Sequence, residues 1–245
     1  MTKYLFTGGT GFVGYWMRQF APEGIDVILG HEDYGSGYWH VEHWDYIIHL
    51  APVPVDRVIE CAKRSKVRIL FASSGGVYDR HPDEYFQMKI DDERKLLASG
   101  LDVRIARIFT TCGAHMQWQR YAIGNFIMQA EKGQIEVQSH GLVVRSYMYG
   151  SDLAEWLWAI LLHGEPGGVY NVGSDIPHST QELAHEIASH YDPMPHINVI
   201  PKMQYEPRPF YVPDTTRARG ELGLTIKVPF EEAVKRTVED YRHAQ

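Results

Sequence analysis

TGGTGFVG, residues 7–14, stands between the apolar run KYLFT (3–7) and the amphipathic stretch FVGYWMRQF (12–20). A short strand, a glycine turn and a helix in that order bring backbone N–H groups and the helix N-terminus to one point. The spacing satisfies G-x-G-x-x-G through Gly9, Gly11 and Gly14, and also G-x-x-G-x-x-G through Gly8, Gly11 and Gly14. Glycines allow the tight turn and the close approach of a pyrophosphate, so the stretch reads as a dinucleotide loop rather than a ligand-free turn. An acidic residue some twenty positions on is expected to hold the adenosine ribose. His31, Glu32 and Asp33 follow the next apolar run, DVILG, and no Lys or Arg lies between Arg18 and Arg57. The expected cofactor is therefore NAD rather than NADP.

Outward from this loop, DYIIHL (45–50), VRILFAS (67–73) and VRIARIF (103–109) are further apolar runs rich in Val and Ile, with helical stretches at 53–65 and 84–99. Continuous apolar strands alternating with helices predict a parallel sheet covered on both faces, an α/β, Rossmann-like, doubly wound fold. Residues 1–112 form the expected NAD-binding core. Residues 113–245 are read as mainly a small C-terminal substrate lobe interleaved with that core, with helices at 119–132, 151–163, 178–191 and at the C-terminal end, and an extended segment at 192–214.

The totals narrow the function. The 245 residues carry a net charge of −7, which argues against nucleic acid or an anionic membrane as partner. Two distant cysteines suit a reducing compartment. The N-terminus breaks into glycines and is not expected to be a signal peptide, and no run of about 18 apolar residues exists. A soluble, cytoplasmic protein is expected. Of the thirteen histidines, His40 and His43 lack an evident third ligand. His185 and His190 lie five apart, roughly 140° around a helix, so no metal site is expected. No G-x-S-x-G elbow supports hydrolase chemistry.

SSGGVYDRHPDEYFQMK (73–89) holds the candidate chemistry. Lys89 lies one helical turn after Tyr85, so both share a face. An ammonium near a phenol favours the phenolate, which can take a proton from a sugar hydroxyl as hydride leaves for NAD. Ser74, closing the LFAS strand, would present its hydroxyl at the carboxyl edge of the sheet, where ligands bind in such folds.

With these blocks in order, the chain resembles an extended short-chain dehydrogenase/reductase of the NAD-dependent epimerase/dehydratase family, whose members mostly modify nucleotide sugars. TGGTGFVG, IIHLAP, ASSGGVY, YFQMK, NFIMQAEKGQIEV, VRSYMYGSDLAEWL, VYNVGS and PDTTRARGELG carry the likeness nearly end to end. The resemblance implies Tyr85 as catalytic base, Lys89 as its activator and Ser74 as hydroxyl partner. It implies cofactor contacts from Gly8, Gly11, Phe12, Val13, Gly14, His31, Glu32, Leu50 and Ala51, besides Tyr85 and Lys89. It implies substrate contacts from Ser74, Thr110, Arg145 and Arg208, with Arg145 gripping the diphosphate of a nucleotide-diphosphate sugar. A homodimer through helix 84–99 is a further implication.

The chain also departs from the family pattern. About fifteen residues join the second strand to DYIIHL, so a helix–strand unit is expected to be missing and the sheet one strand short. Thr110 stands where the family's substrate-contacting Asn is expected, and Gly75 and Gly76 stand where dehydratases carry an Asp–Glu pair. The two glycines count against 4,6-dehydration and leave an epimerase or a keto-sugar reductase, while the trimmed cofactor side motivates a non-catalytic reading. The alternatives are a nucleotide-sugar 4,6-dehydratase and a non-catalytic NAD or nucleotide-sugar binding protein of the same fold.

Overall fold

A computed structural model describes residues 2–30, 44–51, 53–65, 67–138, 141–201 and 209–245. The first part of the chain alternates as expected: β1 (Thr2–Thr7), α1 (Phe12–Gln19), β2 (Ile25–Gly30), β3 (Tyr46–His49), α2 (Val55–Ser65), β4 (Arg68–Ser74), a 3-10 turn (Gly75–Tyr78), α3 (Glu84–Ala98) and β5 (Asp102–Ile108). Then come β6 (Thr111–Cys112), α4 (Ala122–Ala130), β7 (Gln134–Val137), β8 (Val144–Arg145), β9 (Met148–Tyr149) and α5 (Gly150–His163). The chain continues through β10 (Gly168–Val172), β11 (His178–Ser179), α6 (Thr180–Ala188), β12 (His196–Val199), β13 (Phe210–Tyr211), α7 (Thr216–Leu222) and α8 (Phe230–His243).

Two compact units are interleaved in sequence. The first runs up to Phe109 and adds Leu153–Val172 and Thr215–Thr225; the second takes Thr110–Asp152, Gly173–Asp214 and Ile226–Gln245. In the first unit a parallel sheet runs β2-β1-β3-β4-β5-β10. One face aligns Leu5, Ile47, Ile69 and Val103 in cross-strand register, and these pack with Val55, Val58, Ala62 and Leu96 of α2 and α3. On the other face Tyr4 and Phe6 meet Trp158 of α5, whose indole N–H donates 2.8 Å to the Met17 carbonyl of α1. Both faces are thus buried, which is why the strands read as unbroken apolar runs rather than alternating ones. The chain leaves β1 for β2 on one side and returns to β3 on the other. The carboxyl ends of β1 and β3 therefore flank the topological switch point, where such sheets open a ligand crevice. Among the described residues the sheet ends at β2; residues 31–43, where the missing unit was expected, lie outside them.

The second unit holds a three-stranded sheet, β11-β8-β13, and the pairs β12-β7 and β6-β9, with α4, α6 and α8 packed among them. Asp152 is buried and accepts 3.0 Å bonds from the amides of Lys227 and Val228, which orients the entry to α8. Ser179 and Glu182 form a capping box at the start of α6. Among the described residues no helix is long and apolar enough to cross a membrane.

Candidate functional site

At the switch point, β1 ends in Thr7 and the loop turns through Gly8, which has φ +71°. A Cβ on Gly8 would sit 2.8 Å from the Ala51 amide nitrogen, so the glycine loop and the segment after β3 touch backbone to backbone. A Cβ on Gly14 would sit 2.5 Å from the backbone of Gly9. The turn closes with the Gly11 amide donating 3.1 Å to the Gly8 carbonyl, and Gly11 caps α1 without any side-chain acceptor. The amides of Phe12, Val13 and Gly14 open the helix and have no intrahelical acceptor by geometry. Such a cradle, tight in backbone and bare of side chains, fits a pyrophosphate.

His49 holds the other wall in place, a role the sequence reading missed. It is buried, its Nδ1 lies 2.7 Å from Thr7 Oγ1, and its ring stacks on Phe71 at 5.5 Å. Thr7 Oγ1 also accepts from the Leu50 amide at 3.2 Å and the Ala51 amide at 3.5 Å. Burial and then the nearby Lys89 charge push the His49 pKa down to about 3, so it stays neutral. His31 and Glu32 lie outside the described residues.

The end of β4 and the start of α3 bring the second set together. Ser74 ends β4, and its Oγ accepts 3.3 Å from the Gly76 amide as cap of the 3-10 turn. Asp83 caps α3 by accepting from the Phe86 amide at 2.9 Å. That cap starts the helix one residue before Tyr85, so Tyr85, Lys89 and Glu93 follow at successive turns. Tyr85 is 47% exposed and meets the Phe86 ring edge-on at 5.3 Å. Lys89 is only 4% exposed; its Nζ donates 2.9 Å to the Ala72 carbonyl and lies 4.6 Å from the Phe71 ring centre and 5.9 Å from that of Tyr85. Burial lowers the Lys89 pKa to about 8, against the opposing pull of the Asp92 and Glu93 carboxylates. The Ser74 turn touches this helix through Gly76, where a Cβ would meet the Phe86 ring, while a Cβ on Gly75 would meet Phe109 at 2.6 Å. Aromatic rings thus fill the directions an Asp–Glu pair would need.

In the second unit Thr110 accepts 3.1 Å at its carbonyl from the Met148 amide. Arg145 lies on β8 opposite His178 of β11 and Tyr211 of β13, its guanidinium 5.7 Å from the centre of the Tyr211 ring. Arg208 lies outside the described residues. Among the described residues no group of three or more His, Cys, Asp or Glu side chains is arranged to hold a metal ion.

A profile of the NAD dependent epimerase/dehydratase family matches residues 16–173. The chain belongs to this family. Members of the epimerase/dehydratase family with curated descriptions include UDP-glucuronic acid decarboxylase 1 of Danio rerio, 28% identical over 97% of this chain and 72% of its own. UDP-glucuronic acid decarboxylase 4 of Arabidopsis thaliana is 32% identical over 98% of this chain and 68% of its own. Among solved structures, UDP-glucose 4-epimerase of Thermotoga maritima with UDP-glucose superposes with a TM-score of 0.86 at 19% identity, covering 99% of each chain. That likeness establishes the Rossmann-like fold. Membership in the epimerase/dehydratase family makes the chain an NAD-dependent enzyme of a class that modifies nucleotide sugars.

Proposed function

We propose that this protein oxidises a secondary hydroxyl of a nucleotide-diphosphate sugar and reduces the resulting ketone again, as an epimerase, or runs the second half alone as a keto-sugar reductase. The observation that carries this reading is Lys89, an ammonium kept in the core beside the half-exposed Tyr85. Burying a cation is costly, and a cation at this place serves proton transfer by stabilising a phenolate. NAD, held by the Gly8–Gly14 loop and the Leu50–Ala51 wall, supplies a hydride acceptor and then a donor when bound. Tyr85 removes the hydroxyl proton during oxidation and returns it during reduction. Lys89 holds the phenolate charge, and the Ser74 hydroxyl donates to the developing carbonyl oxygen. Thr110, Arg145 and Arg208 are assigned to the substrate, Arg145 to its diphosphate.

The rings of Phe86 and Phe109 beside Gly76 and Gly75 weigh against water elimination, because no acid–base pair stands there. A second reading is favoured by the decarboxylases among the relatives. Oxidation of the hydroxyl β to a sugar carboxylate makes a β-keto acid; its C–C bond breaks, CO2 leaves, and the enolate takes a proton before the ketone is reduced. Tyr85 serves the first and last steps in both readings.

The test is to titrate the purified chain with NAD(H) and NADP(H), then incubate it with UDP-sugars. A new epimer or a reduced keto-sugar supports the first reading, and CO2 from UDP-glucuronic acid the second. Absence of binding to either cofactor overturns both and leaves a non-catalytic binding protein.

A further inference from the structure

Glu93 is as buried as Lys89, at 4% exposure, and stands one turn further along the same stripe of α3. Its carboxylate is fully engaged. Oε1 accepts 2.5 Å from the Ser73 hydroxyl and 3.0 Å from Arg107 Nε, and Oε2 accepts 2.6 Å from Arg107 Nη2. Ser73 immediately precedes Ser74 in β4, and Arg107 lies two residues beyond Ile105 on the sheet face that α3 covers. The guanidinium of Arg107 also lies 4.7 Å from the centre of the Tyr78 ring, in the turn that follows Ser74. The Tyr78 hydroxyl in turn donates 2.9 Å to Asn171 Oδ1 of β10. One carboxylate on the helix that carries Tyr85 and Lys89 is therefore tied to both flanks of Ser74, to Ser73 directly and to Tyr78 through Arg107.

We propose that Glu93 is a positioning residue, whose bonds to Ser73 and Arg107 fix the depth and register of α3 on β4 and so set Lys89 and Tyr85 against Ser74. The inference rests on the proposed roles of those three residues. A bidentate guanidinium–carboxylate pair resists sliding along both strand and helix directions, which a single bond or apolar contact does not. Packing alone would be served as well by an apolar pair of similar volume in this place. Displacements of about 1 Å in such an arrangement cost roughly a hundredfold in rate.

Three variants that preserve every charge test it: Ser73→Ala, Arg107→Lys and Ser73→Thr. The readout is the titration midpoint of Lys89, followed by NMR of lysine side chains and assigned with Lys89→Arg. The charged and titratable groups around Lys89 are Asp92, Glu93 and Tyr85 of α3 and His49 of β3, and none is altered. Release of α3 lets water reach the ammonium, so the midpoint should rise from about 8 toward 10.5 in Ser73→Ala or Arg107→Lys and stay put in Ser73→Thr. Parent midpoints in both Ser73→Ala and Arg107→Lys overturn the proposal. The readout needs neither substrate nor cofactor, so failure of the enzymatic reading would show separately, as absent NAD binding or turnover. Where turnover is found, kcat should fall about tenfold in the same variants with KM nearly unchanged, as for an interaction used only in the transition state.

Discussion

The Lys89 ammonium donates a 2.9 Å hydrogen bond to the carbonyl of Ala72, two residues before Ser74. Its pKa is lowered from 10.5 to about 8 by burial. Between those values the unfolded chain holds a proton that the folded chain has released, so this group makes stability rise with pH across that window. The shift corresponds to about 3 kcal/mol of destabilisation at neutral pH, and the bond to Ala72 is worth about 1 kcal/mol in return. Lys89→Met is therefore expected to abolish turnover and to stabilise the fold by about 2 kcal/mol at pH 7, a gain that shrinks toward pH 10. Urea unfolding at the two pH values measures it; a destabilised Lys89→Met at pH 7 would contradict the account.

Tyr85→Phe removes the hydroxyl and leaves the ring against Phe86. Turnover should drop by at least about a hundredfold, the usual scale for losing a positioned acid–base group. Affinities for NAD and nucleotide sugar should stay within about twofold, because that interaction is used in the transition state. Calorimetric titration beside single-turnover kinetics separates the two effects, and undiminished turnover would sink the mechanism.

Gly8 has φ +71° and faces the Ala51 amide. Gly8→Ala combines a left-handed backbone, which disfavours a Cβ by about 1–2 kcal/mol, with a clash that pushes the glycine loop away from the wall after β3. Lower thermal stability and weaker NAD binding are expected together in this variant. Parent-like cofactor affinity would show that the loop does not hold the pyrophosphate.

Gly76→Glu restores half of the acid pair found in dehydratases, but its Cβ would run into the Phe86 ring. The variant should lose about 1–3 kcal/mol of stability, as overpacked sites do, and should gain no water elimination. Adding Phe86→Ala should recover part of the loss. Thermal melts of both variants, with an assay for the unsaturated or deoxygenated sugar product, decide this; elimination by Gly76→Glu alone would reverse the argument against dehydration.

His49 is held neutral, its pKa lowered to about 3 from 6.5 chiefly by burial. Below pH 6.5 the unfolded chain binds a proton that the folded chain refuses, so stability falls as the pH drops toward 3. His49→Gln should flatten that slope and loosen the wall that Thr7, Leu50 and Ala51 form. Unfolding free energies at pH 7 and pH 4.5 test it, and an equal acid slope in both proteins would assign the acid sensitivity elsewhere.

Much of this was legible in the residues. Strand–glycine–helix order, the apolar runs of β1 to β5 and the Tyr85–Lys89 spacing are local patterns, the helices at 12–19 and 84–98 fall within a residue of the stretches read from the sequence, and a last helix closes the chain as expected. Glu93 carried a signal too, since it is four residues after Lys89 on a stripe where apolar residues are the norm. The sixth strand, β10, escaped because five residues after a helix say little about which edge they join.

The sequence by itself determined that β1, the glycine loop and α1 would form an anion-ready corner, and that Tyr85 and Lys89 would share a helix face. Turn chemistry and helix period act over a few residues and need no partner. Only the tertiary structure decided that His49 would lock to Thr7, that Glu93 would meet Ser73 and Arg107, and that Phe86 and Phe109 would fill the space beside Gly76 and Gly75. Those relations join residues up to 42 positions apart. They follow from strand order and from the cost of leaving a buried polar group without a partner, which favours particular tertiary pairings that spacing along the chain does not specify.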